Sequence, residues 1–366
     1  MRRSLFVKLI APLACQMLLS GCGSFFSNQS TTTTYGTSSS NDYLFVGNSS
    51  SGSGGTLAGY AMNSGTITET AGSPITLTYI PNVMHVRPGD DWLYVGSATT
   101  GGIYGFSIAS TGVLTASNSG VSLTADSPIA MDIDSTGTYL VVLENDYTTL
   151  TVYSINKTTG NLALASQALA TAGGTGAAVR FLPNDKFVYV ATGTGGVSIF
   201  SFSAGTLTNT GYVLSGSSLS SYNDLCADST SSHLVLAQSG TNAGVRVYTI
   251  QATGALTAGT SYSAGTAPYA LDCDATYSTV YSADKTGNEI FEFSLSGGTL
   301  TEIGTISEGI TPFALAVDNS GDTLLSLNLG GSPDLEDYSF STSGVLSADQ
   351  SLATTGTTPI AMAATH

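Results

Sequence analysis

The sequence predicts an all-β chain folded as a seven-bladed β-propeller, with four antiparallel strands in each blade. Three observations carry that prediction. First, a Gly-x-Leu or Gly-x-Ile triplet recurs at Gly65, Gly112, Gly160, Gly205, Gly254, Gly298 and Gly344, in steps of 47, 48, 45, 49, 44 and 46 residues. Second, an aromatic-x-apolar triplet precedes each one, with ring residues Tyr60, Phe106, Tyr153, Phe200, Tyr248, Phe293 and Tyr338. Self-similarity at this period marks radially repeated sheets, one supersecondary unit per repeat. Third, Tyr43 to Gly47 reads as a second strand with no first, and Pro359 to Thr365 as a first strand with no second. The tail should therefore complete the blade that the head begins, closing the ring and removing open edges.

Taken in chain order, the N-terminus comes first. Arg2, Arg3 and Lys8 precede an apolar stretch, Leu9 to Leu19, that is too short to span a bilayer. It ends in Leu19-Ser20-Gly21-Cys22, which looks like a bacterial lipobox. Residues 1–21 are thus expected to be a lipoprotein signal peptide and Cys22 the lipidated residue. Gly23, in place of an aspartate, favours the outer membrane. Residues 22–41 are rich in Ser and Thr and read as a flexible tether. Residues 42–366 form the propeller.

Within each repeat the first strand reads like Pro128 to Asp134, Pro268 to Asp274 or Pro312 to Asp318. The second reads like Leu93 to Gly96, Val188 to Ala191 or Val280 to Ala283. The third carries the aromatic triplet. The fourth leaves the Gly-x-Leu turn as a Ser/Thr-rich strand such as Leu300 to Ile306. Short β-branched and aromatic runs punctuated by Gly, Asn, Asp and Ser are strand-and-turn chemistry.

Only 9% of the residues are charged, and nine Lys or Arg against 25 Asp or Glu give a formal net charge of -16. Such a surface repels phosphate backbones, which excludes nucleic-acid binding, and it does not dock on anionic lipid by charge. No serine nucleophile elbow, zinc helix or phosphate loop occurs, so no cofactor and no metal are expected. A monomer is expected, tied to the membrane only through its lipid.

Of the four cysteines, Cys15 leaves with the signal peptide and Cys22 is lipidated, which leaves Cys226 and Cys273. These fall in the first strands of adjacent blades, four and five in first-strand order. They occupy columns of opposite parity, so they could face each other across the blade boundary. A disulfide there and two buried free thiols are both compatible with the pattern.

Aligning the first strands gives an apolar column of Met84, Met131, Val179, Leu225, Leu271, Leu315 and Met362. The next column reads His85, Asp132, Arg180, Cys226, Asp272, Ala316 and Ala363. First strands line the central channel, so one column makes one ring. His85, Asp132, Arg180 and Asp272 are therefore the candidate ligand-binding residues, either as a polar site or as a satisfied interblade network. Asp134, Asp228, Asp274 and Asp318 end the same strands and read as turn-capping residues. Trp92 lies at the turn before a second strand, where core packing and a rim contact are both open.

The segment Pro81 to Gly96 and the Gly-x-Leu turns, over residues 43 to 366, resemble the lactonase-type seven-bladed propellers. That family includes the 6-phosphogluconolactonases and the carboxymuconate cycloisomerase. The resemblance implies histidine and arginine in a first strand near Pro, a glutamate after the second strand of the same blade, and an arginine one blade later. Here Asn223 and Asp224 stand at the basic positions, Gln238 or Ser239 at the glutamate, and Lys285 at the arginine. Glu144, after another second strand, is the only glutamate in a comparable place.

Lactone hydrolysis needs a base to activate water and cations to hold the developing oxyanion. The candidate catalytic residues are accordingly His85, Arg180, Lys285 and Glu144. The expected function is that of an envelope-anchored, non-catalytic binding or scaffold propeller. Its ligand at the channel mouth would be a small molecule, a glycan or a protein. The alternative is hydrolysis of a sugar-acid lactone.

Overall fold

A computed structural model describes residues 42–365, apart from 51, 53, 64–65, 98, 118–120, 123–126, 147, 171–177, 276–277, 308–310, 319–322, 330–332, 342, 353 and 355–357. The signal peptide, Cys22, the tether and Gly65 lie outside the described residues. The strands form seven antiparallel sheets, each in simple first-to-fourth order. We number the blades by first strand: Pro81–Val86, Pro128–Ile133, Ala178–Phe181, Ser220–Ala227, Pro268–Asp274, Pro312–Val317 and Thr358–Ala364. First strands of consecutive blades touch at all seven seams, so they form the inner wall around the axis. In blades 1 and 7 the outer strand is split into two short pieces.

Blade 7 is assembled from both chain ends. Asp42–Ser49 pairs with Gly55–Asn63 on one side and with Thr358–Ala364 on the other. The Tyr43 N–H donates to Thr365 Oγ1 at 2.9 Å, and the Thr365 N–H returns a bond to Tyr43 O at 2.9 Å. The head and tail thus meet as the sequence requires.

Second strands are sandwiched between neighbouring blades, and their sequences follow from that. Trp92–Ser97 and Thr279–Asp284 are buried at every position. A strand covered on both faces reads as a nearly continuous apolar run rather than as an alternation. Outer strands have one exposed face, hence the Ser and Thr of Thr206–Ser215 or Thr299–Ser307.

The Gly-x-Leu turn is the interlocking device. Gly112, Gly160, Gly205, Gly254, Gly298 and Gly344 all adopt positive φ, between 67° and 83°. At Gly112, Gly160, Gly205, Gly254 and Gly298 a side chain would also collide with the ring at the start of the second strand of the preceding blade. A Cβ on Gly160 would lie 2.2 Å from Trp92, one on Gly254 2.5 Å from Phe187, and one on Gly298 2.7 Å from His233. Backbone conformation and ring contact each demand glycine. Trp92 is therefore packing: it is buried, and its indole N–H donates to Lys157 O at 3.3 Å. Buried tyrosines add a second tie across the seams. The hydroxyls of Tyr94, Tyr189 and Tyr281 donate to the carbonyls of Gly160, Gly254 and Gly344 at 3.0, 2.5 and 2.8 Å.

Candidate functional site at the tunnel and its mouth

The ring column points from each blade toward the next. His85 Nε2 meets Asp132 Oδ1 at 2.8 Å, and His85 Nδ1 lies 2.7 Å from Val86 O. Asp132 Oδ2 accepts the Phe181 N–H of blade 3 at 2.6 Å. Asp272 spans blades 5 and 6, accepting the Val317 N–H at 2.7 Å and the Cys273 N–H at 2.7 Å. Cys226 and Cys273 follow the same geometry: their Cα atoms are 6.2 Å apart and their sulfurs are joined across blades 4 and 5.

Arg180 departs from the expected cluster with His85 and Asp132. The guanidinium turns instead to Asp224 of blade 4, with Nη2 to Oδ1 at 3.4 Å, while Asp132 is occupied by the Phe181 backbone. Some 37% of the Arg180 side chain still faces the tunnel water. Burial opposes its charge, yet Asp224, Asp132 and Asp272 together hold its pKa above the ordinary arginine range. Burial raises Asp224 despite the opposing pull of Arg180, and raises Asp272 to about 6 despite its two N–H donors. Asp224 is the residue that column counting missed. It stands two positions before Cys226 of the ring column, just past a register shift that the first strands of blades 1, 2, 5 and 6 share. Its Oδ2 accepts the Leu271 N–H at 3.0 Å, so it too bridges two blades.

Glu144 ends the second strand of blade 2 with no exposed surface, and its Oε1 accepts Thr151 Oγ1–H at 2.5 Å. Asp134 and Asp228 cap their own turns. Asp134 Oδ1 accepts the N–H groups of Thr138 and Tyr139 at 2.6 Å each, and Asp228 Oδ2 meets His233 Nδ1 at 2.6 Å. Asp318 Oδ1 accepts the Thr323 N–H at 2.9 Å, and Thr279 Oγ1 donates to Asp274 Oδ2 at 3.4 Å.

First strands begin, and second strands end, at one mouth of the tunnel. There, on blades 4 and 5, a more open group gathers. Tyr269 is 40% exposed, and the Lys285 ammonium sits 3.9 Å from its ring centroid. Burial lowers the Lys285 pKa. Asn223 Nδ2 donates to Pro268 O at 2.7 Å and to Ser239 Oγ at 3.0 Å, while Ser221 Oγ donates to Asn223 Oδ1 at 2.9 Å. Gln238 is buried and spent on the loop beneath, donating to Thr241 O and Asn242 O at 2.9 and 3.1 Å. Asp284 braces the other side, accepting the N–H groups of Thr266, Ala267 and Thr286 at 2.7, 3.0 and 3.0 Å. Aromatic face, ammonium, amide and hydroxyls converge on one rim.

Comparison with known proteins places this geometry. A family model described as lactonase, 7-bladed beta-propeller, matches residues 61–181. The fold is that of the lactonase-type propellers. A periplasmic gluconolactonase of Pseudomonas aeruginosa aligns with a TM-score of 0.74 at 18% identity, covering 89% of this chain and 99% of that one. A putative 6-phosphogluconolactonase from Bacteroides uniformis gives 0.75 at 16% identity, covering 88% and 99%. A Lactobacillus plantarum protein gives 0.75 at 19% identity, covering 89% and 99%. No curated protein matches the sequence. In this propeller the positions where the family resemblance implies basic and acidic side chains hold Asn223, Asp224 and Gln238 or Ser239. The structure draws Asn223 and Ser239 together by a hydrogen bond, and Lys285 stands on the same rim.

Proposed function

We propose that this lactonase-type propeller binds a small anionic, polyhydroxylated molecule of the sugar-acid class at the mouth of blades 3 to 5, without hydrolysing it. The observation that carries the reading is that His85 and the carboxyl groups that could serve as a base are already committed within the propeller. His85 has both ring nitrogens engaged by oxygen atoms of the protein, so neither is turned toward an incoming water. Asp132, Asp224 and Asp272 hold backbone N–H groups of the next blade. Glu144 has no exposed surface. What remains exposed is recognition chemistry: the Tyr269 face for an apolar sugar surface, Asn223 and Ser239 for hydroxyls, and Arg180 with Lys285 for the acid group.

The lactone-hydrolase alternative draws support from the likeness to the Pseudomonas gluconolactonase and the putative 6-phosphogluconolactonase of Bacteroides uniformis. One experiment separates the two. A panel of sugar lactones and their open acids is offered to the protein, to His85→Ala and to Lys285→Met. We expect no turnover by any form, and acid binding that weakens about tenfold in Lys285→Met, the size of one lost charge-assisted contact. Turnover by the unmodified protein that disappears in His85→Ala would establish the hydrolase.

We further propose that the propeller is exported and held at the cell envelope through a lipid on Cys22, with the outer membrane as its site. The lipobox-like residues 19–22 support this, as does the Cys226–Cys273 pairing, since disulfides persist in oxidising compartments. The Pseudomonas structure is likewise described as periplasmic. Metabolic labelling with a fatty-acid analogue, lost in Cys22→Ala, tests the anchor.

A further inference from the structure

Six Lys or Arg residues follow position 41, and five of them are accounted for. Arg87 pairs with Asp91, Lys157 donates to Thr136 O, Arg180 pairs with Asp224, Lys285 lies over Tyr269, and Lys186 is exposed. Arg246 is different. It sits on the third strand of blade 4 (Gly244–Ile250), opposite Leu236 of the second strand. Leu236, Tyr222 and Tyr248 form one cluster with Val197 and Ile199, so this face of blade 4 looks onto blade 3. No charged residue occurs between 187 and 223, the stretch of blade 3 that builds the facing wall.

Among the described residues Arg246 has no ion pair, and its Nε, shielded from water, meets no acceptor. The partly exposed side chain remains within reach of solvent. Beside it, the buried Tyr222 and Tyr248 share a hydrogen bond between their hydroxyls, and the Arg246 charge acts on Tyr222. Two hydroxyls joined by one bond leave one proton still to give. A guanidinium adds five N–H donors and no acceptor. The seam therefore holds a guanidinium with an unspent N–H and no carboxylate opposite it, a combination that is unfavourable to bury without a counter-ion.

We infer that the seam of blades 3 and 4 at Arg246, Tyr222 and Tyr248 is a binding site for an oxyanion, a carboxylate or a phosphate group. It is separate from the mouth described above, because Tyr222 joins the cluster facing blade 3 whereas its neighbour Asn223 bonds to Pro268 of blade 5. Planar carboxylate and phosphate oxygens match the two-pronged grip of the guanidinium, and the spare tyrosine proton supplies a third bond.

The test uses the full chain at low ionic strength, titrated separately with inorganic phosphate and with gluconate. Two readings are taken, the heat of binding and the Arg246 Nε–H resonance in nitrogen-15-labelled protein. We expect at least one anion to shift that resonance saturably. Arg246→Met should weaken its binding at least tenfold, and Arg246→Lys should weaken it less. A response to phosphate alone assigns the site to phosphate groups, and a response to gluconate alone to carboxylates. If neither anion moves the Nε–H signal at tens of millimolar, or if Arg246→Met binds as tightly as the unmodified chain, the inference is overturned. The resonance is read on the unmutated protein, so a variant that fails to fold does not rescue it.

Discussion

Asp272 shows how a single carboxyl couples the tunnel to pH. Its pKa in the folded chain, about 6, lies above the ~3.9 of an exposed aspartate, because burial outweighs the two N–H groups it accepts. A raised carboxyl pKa means that the folded state takes up the proton more readily than the unfolded one. Stability should therefore rise as pH falls from about 7 toward 4, and that increment is lost again as pH climbs through 6. Burial also raises Asp224, Asp185 and Glu292, so these groups act in the same direction. Thermal unfolding at pH 7.5 and pH 5 should show the midpoint rising on acidification, on the order of a few degrees. Asp272→Asn should flatten the trend, and an equal slope in that variant would contradict the assignment. Much of this was legible in the sequence, since the His85–Asp132 meeting follows from column alignment alone. The Arg180–Asp224 pair was not. A long guanidinium can reach either neighbour, and Asp224 lies two positions before the ring column, where other first strands carry Val83, Ala130, Ala270 and Ala314.

Turns supply a cleaner contrast between strain and crowding. Gly297 and Gly298 are consecutive, and both have positive φ, 54° and 78°. A Cβ on Gly297 meets nothing within 4 Å, whereas one on Gly298 meets the His233 ring at 2.7 Å. That ring cannot easily swing away, because Asp228 holds its Nδ1 at 2.6 Å. Gly297→Ala should cost about 1 kcal/mol, the backbone share alone, and Gly298→Ala roughly 2–4 kcal/mol by denaturant unfolding. Equal losses would show that conformation, not the ring contact, sets the repeat. The glycine period was visible from residue spacing. Its partner, the ring opening the previous blade's second strand, was not, because Tyr43, Trp92, Tyr139, Phe187 and His233 share a place but no residue type.

At the scale of the ring, Thr358–Ala364 is the only inner neighbour of Asp42–Ser49. Deleting residues 357–366 should leave the inner edge of Asp42–Ser49 unpaired, abolish a single cooperative transition and drive association, which size-exclusion chromatography and calorimetry will show. Survival of a sharp, monomeric transition would mean that six complete blades suffice. Reduction of the Cys226–Cys273 link should instead lower the midpoint while the ring stays closed, since it frees a loop of 47 residues at a single seam. The seven-fold count and the shared blade could be read from the sequence because each depends only on spacing. Which mouth carries the recognition group could not, since Asn223, Ser239, Tyr269 and Lys285 converge only after four separate segments have been wound around the axis.

The bond between Tyr43 and Thr365 joins residues 322 positions apart. Whatever emerges first from the ribosome must wait, half-paired, until the very last segment arrives. Contacts this distant are late to form. A nascent chain of this design cannot close into a finished disc before that strand is made, and a stop short of it yields a product with no means of shutting its own edge.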